Sequence, residues 1–216
     1  AFELLSVRTG SQRVVGAEDR GIESAVVGRE RELDRLRLQL FRVLNGSGSI
    51  VSVIGDAGIG KSRLVAELTQ QPEIQRVTLL RGRATSTGRQ LSFHPVIDLI
   101  KGWARIADGD DGATAFGKLE KGVRGIEPDA AGEIVPFIGR LLGLTLPPAP
   151  AERLRGIESQ ALEKLIMVAV RKLVASAAQR RPLIIIIEDV HWADASTLDV
   201  LKPLLRLAAE HAVLAA

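Results

Sequence analysis

The sequence predicts an α/β domain, a parallel sheet covered by helices on both faces. Two short runs, "SIVSVI" at 49–54 and "LIIIIE" at 183–188, are rich in β-branched residues and nearly free of polar alternation, as strands buried on both faces must be. Each is followed by a segment whose apolar residues recur at helical spacing. A glycine-rich stretch, "GDAGIGKS" at 55–62, joins the first strand to its helix.

The elements follow in order. Residues 1–25 mix Gly, Ser, Arg and acids without a period after a short "FELLSV", and are expected to be a linker or the tail of a preceding domain; residues 26–216 form the domain proper. Leu33, Leu36, Leu40 and Leu44 recur at spacings of three and four, which predicts a helix that "NGSG" at 45–48 stops. "SIVSVI" is expected to be a buried strand, "GKSRLVAELTQQ" a helix ending before Pro72, and "QRVTLLRGR" a second strand. Residues 92–142 read as a helical insert, broken by "DGDDG", "GIEP" and "GLTLPPAP". A longer helix is expected from about 151 to 178, with Leu162, Leu165, Ile166, Ala169, Val170, Leu173 and Val174 on one face. The strand "PLIIIIED", a helix over about 195–209 capped by Asp194, and the start of another strand complete the chain.

Composition narrows the function. With 46% hydrophobic and 25% charged residues the 216-residue chain has the balance of a globular domain, and a net charge of +3 is too slight and too scattered to argue for nucleic acid or a membrane surface. The absence of cysteine removes disulfides, thiolate metal sites and cysteine nucleophiles together, and fits a cytoplasmic location. His94, His191 and His211 have no ligand spacing. No apolar run reaches the roughly 18 to 20 residues that span a bilayer.

"GDAGIGKS" matches G-x-x-x-x-G-K-[ST] at every fixed position, with a strand before it and a helix after it. Gly55, Gly58 and Gly60 let the backbone turn its N–H groups inward, where phosphate oxygens accept them at the positive end of the following helix. Lys61 supplies a point charge for the β- and γ-phosphates, and the Ser62 hydroxyl suits Mg²⁺. Gly55, Asp56, Ala57, Gly58, Ile59, Gly60, Lys61, Ser62 and Arg63 are thus candidate contacts for a nucleotide such as ATP or ADP.

A phosphate-loop NTPase also needs an acid at the end of a neighbouring strand. Glu188 emerges where "LIIII" reaches the carboxyl edge of the sheet, which is where ligands of open α/β sheets bind. Glu188 and Ser62 are the candidate metal holders. The attacking water falls to Asp189 or Glu188, while His191 and Trp192 are expected to pack.

Three blocks together, "VVGREREL" at 26–33, "VIGDAGIGKSRLVAEL" at 53–68 and "IIIIEDVHWADASTLDVL" at 184–201, resemble the AAA-like and STAND class of signal-transduction ATPases. The likeness is to the ATPase modules that follow a class III adenylate/guanylate cyclase domain and precede helical repeats. The resemblance implies that Val27, Gly28 and Arg29 lie near the adenine, and that residues 1–21 connect to a cyclase. It also implies sensor residues and a winged-helix lid beyond residue 216, so the sequence is expected to be part of a longer protein whose neighbouring domains are its partners. Many relatives place Asp first in the acid pair, whereas here Glu188 precedes Asp189. The expected function is therefore an ATP-binding and ATP-hydrolysing regulatory module. Alternatives are a nucleotide-held switch that does not hydrolyse, or the ATPase core of a DNA-associated regulator of the LuxR or origin-recognition type. The last would need a basic DNA-binding module that this segment lacks, and a small-molecule kinase has no visible lid or acceptor site.

Overall fold

The run Leu183–Ile187 carries no polar side chain, so a strand made from it must be covered on both faces. In the computed structural model, which describes residues 28–85 and 93–215, it is covered. Four parallel strands, β1 (Ser49–Ile50), β2 (Thr78–Arg83), β3 (Leu183–Glu188) and β4 (Val213–Ala215), form one sheet in the order β1-β4-β3-β2. Leu183, Ile184, Ile185 and Ile186 of β3 are each no more than 1% exposed. The pleat sends them alternately to two cores. Ile184 and Ile186 pack with Leu33, Leu36 and Leu40 of α1 (Glu30–Leu44) and with Leu64, Val65 and Leu68 of α2 (Lys61–Thr69). Leu183 and Ile185 face a larger cluster. It is formed by α3 (His94–Ala104), α4 (Gly112–Ile126), α5 (Ala131–Leu141), α7 (Ser159–Arg180) and α8 (Ala195–Glu210). The short α6 (Pro148–Glu152) buries no residue.

Helices α3 to α7 form a helical segment between β2 and β3 in chain order. Its last helix is shorter at the start than expected. Proline-rich α6 and a turn in which Gly156 takes φ 76° occupy residues 148–157, and α7 begins only at Ser159. Leu165, read as a core-facing residue, is 38% exposed. The first strand is also corrected. Only Ser49 and Ile50 pair, because β1 is an edge strand whose one partner, β4, is met at Leu214 and Ala215. "SIVSVI" is therefore not a buried run, since Ile50 is 55% and Ile54 91% exposed. The tail or linker assigned to 1–25, like Val27, lies outside the described residues.

Asp194 starts α8 as the sequence indicates. Its Oδ1 accepts the Thr197 N–H at 2.9 Å and its Oδ2 the Thr197 hydroxyl at 2.5 Å. The hydroxyl oxygen in turn accepts the Phe93 N–H at 3.0 Å, tying the cap to the start of α3. Partial burial opposes the charge on Asp194, but the hydrogen bonds from Thr197 outweigh it and hold the carboxyl below its ordinary value. A depressed folded-state value means that this stabilisation is complete above the ordinary carboxylate range and is lost as pH falls through the lower value. Asp194→Ala is expected to cost about 1 kcal/mol at neutral pH. Urea unfolding of both proteins should show that gap narrowing below about pH 4.

Candidate functional site

The loop between β1 and α2 has the backbone its glycines allow. Gly58 and Gly60 adopt φ of +81° and +94°, and nothing lies within 4 Å of a Cβ built at either, so it is conformation and not space that demands glycine there. Residues 55–60 are all exposed, and the N–H of Ile59 reaches the Asp56 carbonyl at 3.4 Å to close the turn. Helix α2 begins at Lys61 with Gly60 as its cap, so its unpaired N–H groups open onto the loop. Lys61 Nζ donates to the carbonyls of Gly55 at 2.8 Å and Asp56 at 3.0 Å, which holds the ammonium within the loop. Ser62 is exposed on the first turn, and Arg63 pairs along the helix with Glu67 at 3.7 Å.

The first of the three sequence blocks meets this loop through one side chain. Arg29 Nη2 donates to the Ile59 carbonyl at 3.2 Å while Nη1 pairs with Glu32 at 3.2 Å. Gly28, at φ 76°, gives its N–H to Glu30 Oε1 at 3.1 Å. Residues 28 and 29 thus sit at the start of α1 beside the phosphate loop.

The acids stand at the carboxyl end of β3. Glu188 is half-buried and shares the pleat of Ile184 and Ile186, the residues that pack against α1 and α2. That parity puts it on the face of the sheet that carries the loop's own helix. Among the described residues no hydrogen bond or ion pair engages its carboxylate. Its strand is not the loop strand's immediate neighbour, as the sequence reading had supposed, because β4 lies between β1 and β3. Asp189 leaves the strand in the left-handed region, at φ 59° and ψ 37°, ahead of a 3₁₀ turn over Val190–Trp192. Its Oδ2 accepts from Arg83 Nε at 3.1 Å. The His191 and Trp192 rings lie 4.9 Å apart, centroid to centroid.

Sequence reasoning missed Arg83, His94 and Asp98. Arg83 ends β2 opposite Glu188 in the parallel register. Asp98 Oδ2 accepts the Arg83 N–H at 3.4 Å, and His94 Nδ1 lies 3.3 Å from the Arg83 carbonyl and 3.5 Å from Asp98. Burial pushes the Asp98 carboxyl above its ordinary value, with nearby His94 and the Arg83 N–H opposing that rise. The close approach rests on Gly82, where a Cβ would overlap the Pro95 carbonyl. "RGR" before "HP" was the available signal, a small residue where a helix presses on a strand.

Residues 25–215 match the family model described as the AAA ATPase domain. The chain belongs to the AAA ATPase domain family. It is also similar to the uncharacterized protein R02095 of Rhizobium meliloti (strain 1021), 30% identical over 190 residues that make up 88% of this chain and 18% of that protein. The chain thus spans less than a fifth of the relative's length. No solved structure matches it. As an AAA ATPase domain it is a nucleotide-binding ATPase module, and the family generally binds ATP or ADP with Mg²⁺. The residues present fit that ligand: an exposed loop in which Gly58 and Gly60 adopt positive φ, an ammonium within it and a carboxylate without a protein partner among the described residues. Among those residues no group of three or more His, Asp or Glu could hold a metal alone, so a cation here would take most of its oxygens from phosphate and water. No helix among them is long and apolar enough to cross a membrane.

The Gly82 contact gives a direct test of how the site is held. Gly82→Ala is expected to cost about 1–3 kcal/mol, because backbone rather than a flexible side chain must give way. Chemical denaturation would measure it, and Gly109→Ala, in open space, should cost far less.

Proposed function

We propose that this AAA ATPase domain binds ATP·Mg²⁺ through Gly55–Ser62 and hydrolyses it, acting as a cytoplasmic regulatory module of a multidomain signalling protein. The observation that carries the reading is the shared core of α2 and β3. Leu64, Val65 and Leu68 pack with Ile184 and Ile186, so the helix that starts at the phosphate loop and the strand that ends at Glu188 are one rigid piece.

In this reading the loop N–H groups receive phosphate oxygens, and Lys61 exchanges the Gly55 and Asp56 carbonyls for the β- and γ-phosphates. Ser62 and Glu188 hold the cation, and Asp189 or Glu188 orients the attacking water. When bound, Mg²⁺ would neutralise charge on the phosphate oxygens. Arg29, fixed to the loop at Ile59, supports placing Gly28 and Arg29 beside the base. The resemblance to modules downstream of class III cyclases and upstream of helical repeats supports the signalling context. One observation favours the alternative of a nucleotide-held switch that does not hydrolyse, the engagement of Asp189 by Arg83.

Lys61→Ala is expected to weaken binding of a fluorescent ATP analogue by at least about tenfold, or ~1.4 kcal/mol. Glu188→Gln and Asp189→Asn should keep nucleotide binding and lower phosphate release by about 100-fold or more. Equal release by the wild type and both acid variants would contradict the hydrolytic reading.

A further inference from the structure

The helical segment between β2 and β3 carries a pocket that nucleotide chemistry does not use. About 330 Å³ opens where the end of α5 faces the start of α7, beside the residue that precedes α3. Packed helices leave few voids larger than a water molecule, and ligand pockets begin near this size, at roughly 300 Å³. Its apolar wall is Phe93, Leu141, Leu162 and Ile166, of which Phe93 is 9% and Ile166 6% exposed. Leu141 and Leu162 pack against the same large core. Two exposed residues of opposite charge also line it, Arg140 in the last turn of α5 and Glu163 one turn into α7. The pocket shares no residue with the phosphate loop or the acid pair.

Elsewhere α5 and α7 do pair across their contact, through Lys172 and Glu133 at 3.4 Å. Arg140 and Glu163 line one pocket and yet form no ion pair, with each other or with any other described residue. Their charges therefore stand at separate points of one apolar pocket instead of cancelling. From this arrangement we propose that the pocket binds a free α-amino acid with an apolar side chain. The Arg140 guanidinium takes the carboxylate, which suits its planar fork of donors. Glu163 accepts from the ammonium, and the ligand's side chain lies against Phe93, Leu141, Leu162 and Ile166. A carboxylic acid or an amine alone would answer only one of the two charges. The wall is held in place by the fold, because Phe93 takes a left-handed backbone at φ 68° and gives its N–H to the Thr197 hydroxyl at 3.0 Å. A wall already in place lowers the ordering cost of binding.

The test is isothermal titration calorimetry of the full chain with L-leucine and L-phenylalanine. At least one of them should saturate the protein below about 10 mM. It should bind about tenfold or more tighter than its analogue without the ammonium, isocaproate for leucine and hydrocinnamate for phenylalanine. Glycine, which has both charges and no apolar side chain, should bind about tenfold or more weaker. Arg140→Gln should weaken the amino acid and its analogue alike by about tenfold or more. Glu163→Gln should weaken only the amino acid, bringing the two ligands to within about threefold of each other. Both variants should bind a fluorescent ATP analogue as the wild type does, a split that general loss of folding would not produce. Saturation by neither amino acid overturns the proposal, as does equal affinity of the wild type for an amino acid and its analogue. Amino-acid binding that both variants leave unchanged overturns it too, since the ligand then sits elsewhere in the protein.

Discussion

The parallel pairing of β2 with β3 organises the carboxyl edge of the sheet. Six consecutive residue pairs run from Thr78↔Leu183 to Arg83↔Glu188, the longest ladder in the molecule's described part. Because β3 is aliphatic on both faces, it is buried on both, and each fully buried Leu or Ile contributes roughly 1.5–3 kcal/mol relative to exposure. That burial allows no slip of register, since a shift by one residue would exchange the two faces and carry Glu188 to the other side. Every polar residue at this edge inherits its place from the ladder.

Two cores then divide the work. The smaller one joins α1 and α2 to Ile184 and Ile186, tying the phosphate loop to the acid strand although β4 lies between β1 and β3. The larger one joins the insert to Leu183 and Ile185 and presses α3 onto the end of β2. β3 is thus the shared wall of a nucleotide side and an insert side. Arg83 and Asp189 are where polar groups from the two sides meet.

Much of this was legible in the sequence because it is written in short spans. "GDAGIGKS" sits within one strand–loop–helix unit, "LIIIIED" declares its own burial, and Asp194 caps its helix within three residues. Apart from the start of α7, the errors fell where the deciding partner is distant. Whether "SIVSVI" is central or an edge depends on β4, whose strand begins at Val213. The start of α7 was decided by Gly156 and the proline-rich α6 against an otherwise continuous helical pattern. The Arg83–Asp189 pair joins residues 106 positions apart, and no local spacing encodes it. Val27, which the resemblance puts near the adenine, lies outside the described residues.

In the proposed function the phosphate loop and the end of β3 form one metal–nucleotide site. Electron paramagnetic resonance with Mn²⁺ in place of Mg²⁺ addresses it most directly, by titrating the ion into protein with ATP present. A bound Mn²⁺ signal is expected that requires ATP, is lost in Lys61→Ala, and is weakened by about tenfold or more in affinity in Glu188→Gln. Mn²⁺ binding that is the same in Glu188→Gln as in the wild type would contradict it.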